Sequence, residues 1–217
     1  AMANGQQVGT YKLDPNTSQV TFKPIKTFYG MPDPVVVQVS DTDGKAHRAR
    51  YQPKVTQVTP RSTNAESTGL QGQAQSGKPT FTAGDQQIPI DMSKAMTFEN
   101  GTDTLVVADQ GTYTINSDGS ITFTPDKQFT GKATPVRVKR VDANGTEITA
   151  TYTPEVTKVT PTGTNAESTG IQGQPQKGMP TFTPGDSAVP IDTNSPMTFE
   201  DGQPKKTVQG VGEYSIN

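Results

Sequence analysis

The stretch Gly111 to Gly131, G-T-Y-T-I-N-S-D-G-S-I-T-F-T-P-D-K-Q-F-T-G, fixes its own strand register and then occurs again elsewhere in the chain. Tyr113 and Ile115 alternate with threonines on one arm, Ile121 and Phe123 on the other, which is the period of a half-buried strand. A two-residue Asp118-Gly119 loop would set Ile115 opposite Thr122 and send the apolar residues of the two arms to opposite faces. A three-residue loop, Ser117 to Gly119, pairs Ile115 with Ile121 and Tyr113 with Phe123. The three-residue loop is therefore predicted, with Gly119 taking the positive φ that such a turn needs. Near the N-terminus G-T-Y-K-L-D-P-N-T-S-Q-V-T-F-K-P repeats the element, with Tyr11 and Leu13 facing Phe22 and Val20 across a loop one residue longer. Gly9 maps to Gly111 at an offset of 102 and Gly30 to Gly131 at 101, so the extra residue falls inside the turn and both faces keep their register. A third copy begins at Gly212 with G-E-Y-S-I-N.

A period near 101 in 217 residues makes about two repeat units, each with a small core. Hydrophobic residues make up 29% of the chain, and 21 glycines with 18 prolines argue against helices and for many short strands and turns. Strands of about six residues would give a body roughly 20 Å long before loops. The net charge of −2 supplies no field for nucleic acid or an anionic membrane, so neither is expected as a partner. With no cysteine there are no disulfides or thiolate metal sites, and no apolar run reaches the length of a membrane span. Ala1-Met2-Ala3 reads as an expression remnant, so the sequence is taken as a piece of a longer chain whose missing targeting signals are uninformative.

A second hairpin is predicted from Pro34 to Tyr51. With Thr42 to Gly44 as its loop, Val39 faces His47, Val37 faces Ala49 and Val35 faces Tyr51. Its second copy, with loop Ala143 to Gly145, sets Arg140 against Ile148, Val138 against Ala150 and Val136 against Tyr152. Pro60 to Pro79 is polar, with Leu70 its one large aliphatic, and reads as a linker followed by a weak strand and as a domain boundary. Its block Asn64 to Gly69 returns unchanged from Asn165 to Gly170. Short strands are expected at Thr80 to Asp85 and Met96 to Gly101, with Pro89 limiting Ile88 to Asp91 to an edge or a strand end. On this phasing 61–160 is one whole unit, 4–60 the C-terminal half of a preceding unit, and 161–217 the N-terminal half of a following one.

The blocks T-F-T-P-G-D-S-A-V-P-I-D (Thr181 to Asp192), M-T-F-E-D-G (Met197 to Gly202), the central hairpin, V-K-R-V-D-A-N-G-T (Val138 to Thr146) and A-T-Y-T-P-E-V (Ala150 to Val156) closely resemble CshA-type fibril repeats. These are tandem units of the fibrillar stalk in Gram-positive cell-wall-anchored adhesins. A looser similarity is to bacterial Ig-like and cadherin-like tandem modules. The resemblance implies tandem, antiparallel, Ig-like β-sandwich modules in an elongated array, outside the cell and anchored to its wall. It also implies neighbouring repeats of the same chain as partners. The first copy departs from the pattern, with Asp14 to Gln19 replacing the N-x-D-G turn and Gln38 to Asp41 replacing K-R-V-D.

No enzyme chemistry is expected. His47 is the sole histidine and its repeat equivalent is Ile148, and the chain has no G-x-S-x-G, phosphate loop or H-E-x-x-H. No cofactor or metal is expected either. The Asp/Asn/Gly runs at Asp41 to Gly44, Asn116 to Gly119 and Asp142 to Gly145 suit hairpin turns, and a calcium loop would need a fuller ligand set. Lys26 and Lys127 are equivalent, as are Asn64 and Asn165 and the acids Glu66 and Glu167, which leaves a lysine–asparagine crosslink as a question of contact. The outward face of the second hairpin is basic in both copies, through Arg48 and Arg50 in the first and Arg137 and Lys139 in the second. Such charges discourage edge pairing, and they equally suit an anionic glycan or a protein of the host. Two roles follow. The chain is either a structural spacer that holds an adhesive domain away from the wall, or a binding module that contacts a host glycan or protein through those faces.

Overall fold

In the computed structural model, which describes residues 1–217, every regular element is a β-strand. The long central strand Glu147–Thr157 pairs antiparallel with Val136–Val141 and with Gly131–Lys132, and Thr97–Phe98 extends that sheet beyond Val136–Val141. A second sheet runs Thr104–Val107, Gly111–Ile115, Ile121–Pro125, Gln75–Gly77. Alternation turns one face of each sheet inward. Tyr113, Ile121 and Phe123 from one sheet pack with Phe98, Val138 and Tyr152 from the other, all with almost no exposed surface. The Tyr113 and Tyr152 rings meet edge to face at 6.1 Å, a contact that ties the two sheets of this β-sandwich together.

The hairpin registers agree with the alternation at each position. Tyr113 pairs with Phe123 and Ile115 with Ile121, while Gly119 takes φ +82°. Tyr11 pairs with Phe22 and Leu13 with Val20, and the Asp14 amide donates to the Gln19 carbonyl across the longer loop. In the second hairpins, Val39 pairs with His47 and Arg140 with Ile148. Thr80–Thr82 and Thr97–Phe98 are short strands, and the segment around Pro89 makes only the isolated bridges Asp85 to Ile88 and Ile90 to Asp142.

Two expectations are corrected. Pro60 to Pro79 is not a linker with a weak strand. Arg61–Thr63, Ala65–Leu70 and Gln75–Gly77 are strands, and Ala65–Leu70 lies parallel to Glu147–Thr157, with Ala65 beside Tyr152 and Gly69 beside Val156. Its polar side chains are compatible with this because the backbone ladder, the Ser62 hydroxyl on the Thr149 carbonyl and the Asn64 Oδ1 on the Thr151 amide hold it. The longest strand also exceeds six residues. Glu147–Thr157 has 11 and continues through Pro154, whose carbonyl accepts the Ala133 amide. At 3.3 Å per residue it spans about 36 Å.

The flanking segments build only parts of this body. Residues 1–60 form the hairpins Gly9–Leu13/Val20–Pro24 and Val35–Ser40/Ala46–Tyr51, and Met2–Ala3 pairs with Gln6–Gln7. Residues 161–217 form the pairs Thr162–Thr164/Thr181–Thr183 and Lys205–Val208/Gly212–Ser215, and Ala166–Gly170 carries no strand. Among the buried hydrophobic residues only Val8 lies outside 96–156.

Candidate functional surface

The basic faces fall where alternation put them. Arg50 pairs with Val36 and Arg48 with Gln38, while Arg137 pairs with Thr151 and Lys139 with Thr149, so both pairs project from the equivalent face of their hairpins. Their surroundings differ. Arg137 makes an ion pair with Glu99 at 3.2 Å and donates to the Thr149 hydroxyl, and Lys139 lies 3.7 Å from Glu147. Arg48 donates to the Gln38 Oε1 and Arg50 to the Gln52 Oε1, and neither has a carboxylate partner.

The Asp-Gly loops use their carboxylates internally. Asp41 Oδ1 accepts the Asp43 and Lys45 amides, and Asp142 Oδ1 accepts those of Asn144 and Thr146. The second oxygens part company. Asp41 Oδ2 sits 2.9 Å from His47 Nε2, and this contact, followed by the Lys45 amide, pulls its pKa below the ordinary carboxylate value. In the other copy Ile148 stands where His47 does and has nothing to donate, so Asp142 Oδ2 is buried without a hydrogen-bond partner. Asp118 is held down to about 2 by the Ser120 hydroxyl first, then the Ser120 amide and Lys78. No group of three or more His, Asp or Glu side chains is placed to hold a metal ion. Of the crosslinking candidates, Lys26 Nζ donates to the Ala143 carbonyl and Asn64 Oδ1 accepts the Thr151 amide.

The arrangement that sequence reasoning missed is the seat of Tyr152. Its hydroxyl lies 2.6 Å from Ser67 Oγ, which donates to Gln75 Oε1, and Gln75 Nε2 donates to the Glu155 carbonyl. Burial raises the Tyr152 pKa, an effect partly offset by Ser67. The ring rests over Gly77, where any Cβ would collide with it. The signal for this seat was the unchanged return of Asn64 to Gly69, which a solvated linker does not require.

Comparison with protein families matches residues 2–55, 57–156 and 158–217 to the surface adhesin CshA repetitive domain. Among solved structures, the chain is similar to the NMR structure of repeat domain 13 of the fibrillar adhesin CshA from Streptococcus gordonii. That chain is 58% identical over 32% of this chain and 90% of its own length, with a TM-score of 0.20. No curated protein matches.

Proposed function

The chain belongs to the surface adhesin CshA repetitive-domain family, and from that we propose that it is a non-enzymatic structural spacer of a wall-anchored fibril, projecting an adhesive domain from the cell. The observation that carries this reading is the parallel pairing of Ala65–Leu70 with Glu147–Thr157. Two neighbouring strands that run the same way place the start of the first and the end of the last at opposite ends of the body. A unit entered at one end and left at the other strings into a line. The same pairing supports 61–160 as the structural unit, with 4–60 and 161–217 as halves of its neighbours.

Small-angle scattering on chains of one, two, three and four repeats tests this. Maximum dimension should rise by a constant increment per repeat, on the order of the 36 Å strand length. A dimension that saturates, as in a chain folded back on itself, would overturn the spacer reading. The second reading, a binding module, draws on Arg48 and Arg50, whose guanidiniums have no carboxylate partner. Retention of the fragment on an anionic glycan array, abolished by Arg48→Ala with Arg50→Ala, would favour it. A signal no higher than background leaves the spacer alone.

A further inference from the structure

The family match breaks at residues 56 and 157, so two connections between successive repeats lie inside the chain, at Thr56 to Pro60 and Thr157 to Pro161. Both read T-x-V-T-P. A connection that short is a hinge or a joint according to what its backbone touches. The repeat being left holds its start. Val55 exchanges amide–carbonyl bonds with Gly30, and Val156 lies opposite Gly131. The Thr157 carbonyl then accepts the Gln71 amide, and the Val159 amide donates to Gln71 Oε1 at 3.3 Å, while Gln71 Nε2 donates to the Lys127 carbonyl.

The repeat being entered holds the other end. Thr82 pairs with Arg61 and Thr183 with Thr162, and two rungs further out Gly84 faces Thr59 and Gly185 faces Thr160. A Cβ on Gly84 would collide with the Thr59 backbone, and one on Gly185 with the same backbone atoms of Thr160. Neither glycine has a positive φ, so what it supplies is room for close approach. Both threonines precede a proline, which confines them to extended backbone, and Pro60 is itself buried.

We propose that Gly84 and Gly185, with Gln71 on the repeat behind, make a fixed joint that sets the orientation of each repeat on the next. Val159 is pinned by the repeat it leaves and Thr160 by the repeat it enters, so no residue between them is left to swivel. Side chains brace each joint from outside. Lys26 Nζ donates to the Ala143 carbonyl at 2.8 Å across the first, and Gln73 Nε2 to the Ala188 carbonyl at 3.3 Å across the second. The Ala143 carbonyl is a firm seat, because the Ala143 amide donates to the Pro89 carbonyl and Asp142 Oδ1 holds the Asn144 and Thr146 amides. This deepens the spacer reading and rests on it for its use in a fibril, yet the two fail separately. Hinged repeats would still keep the ends of a stalk apart, and a rigid but bent joint would fold the array back.

Distances between paired spin labels on the chain 1–217 test the proposal. The chain has no cysteine, so labels go only where they are introduced. Exposed positions serve: Thr42→Cys with Ser117→Cys spans the first joint, Ser117→Cys with Thr181→Cys the second, and Ser117→Cys with Glu155→Cys gives the width inside one repeat. Both joint pairs should show a single distance as narrow as the internal pair. Gly84→Leu should broaden the first pair alone, and Gly185→Leu or Gln71→Ala the second alone. Gly185 lies outside the central repeat, so an unchanged internal pair in that variant confirms that the central repeat is folded while the joint is loosened. Broad distributions across both joints of the chain with its glycines intact overturn the proposal, as does a Gly185→Leu chain whose second pair stays narrow.

Discussion

The central repeat and residues 1–60 carry the same aromatic constellation in different surroundings. Tyr113, Phe123, Tyr152 and Phe129 make ring contacts of 4.5, 6.1 and 6.2 Å. Their equivalents Tyr11, Phe22, Tyr51 and Phe28 repeat them at 5.1, 6.2 and 6.3 Å. Even the hydroxyls agree, since Tyr113 donates to the Thr134 carbonyl and Tyr11 to that of Asp33. Yet Tyr113 and Phe123 are fully buried while Tyr11 and Phe22 are only half covered. The two hairpins and the Phe28 segment of residues 1–60 therefore suffice to assemble the cluster, and full burial comes from strands contributed by distant sequence.

Four measurements break or sharpen that contrast. Phe123→Ala should lower the unfolding free energy of the central repeat in urea by about 3–5 kcal/mol, while Phe22→Ala should cost under about 1 kcal/mol. Equal losses would mean the two clusters are buried alike. Gly77→Leu forces a side chain into the Tyr152 ring and should cost about 1–3 kcal/mol in the same assay. Gly178→Leu should leave that transition where it is. Ser67→Ala strands the Tyr152 hydroxyl and should cost about 1–2 kcal/mol, against no detectable change for Ser168→Ala.

The smallest effect is on acid stability. The Asp118 pKa is lowered on folding from 3.8 to about 2, so its contribution is complete above the unfolded value and is lost as pH falls through the folded one. The central melting temperature should drop between about pH 4 and pH 2, and Asp118→Asn should flatten that limb. An unchanged acid profile in the variant would remove the carboxylate from the turn's account.

The hairpins were legible because a period of two and a turn of known length leave one register in which Tyr113, Phe123, Ile115 and Ile121 share a face. The same logic placed Arg48, Arg50, Arg137 and Lys139 on one face, but not the acid that meets Arg137. Glu99 approaches from the turn that follows Thr97–Phe98, a strand that pairs with Val136–Val141 only through tertiary structure. Asn64 to Gly69 was opaque for a related reason. Its alternation carries no apolar signal, and its partner Glu147–Thr157 lies more than 80 residues away and parallel, so no local turn announces the pairing. What the sequence did offer was repetition, a polar block unchanged between copies where solvent would have tolerated drift.

In the spacer proposed above, a pull along the fibril would fall on the clasp between Ala65–Leu70 and Glu147–Thr157. Tension entering at the first strand and leaving at the last draws the two past each other lengthwise, so the rungs of the ladder share the force in shear. A hairpin tugged at its open end surrenders its bonds one at a time. In this parallel geometry they would have to yield together, a resistance to tension that needs neither a disulfide nor a large core.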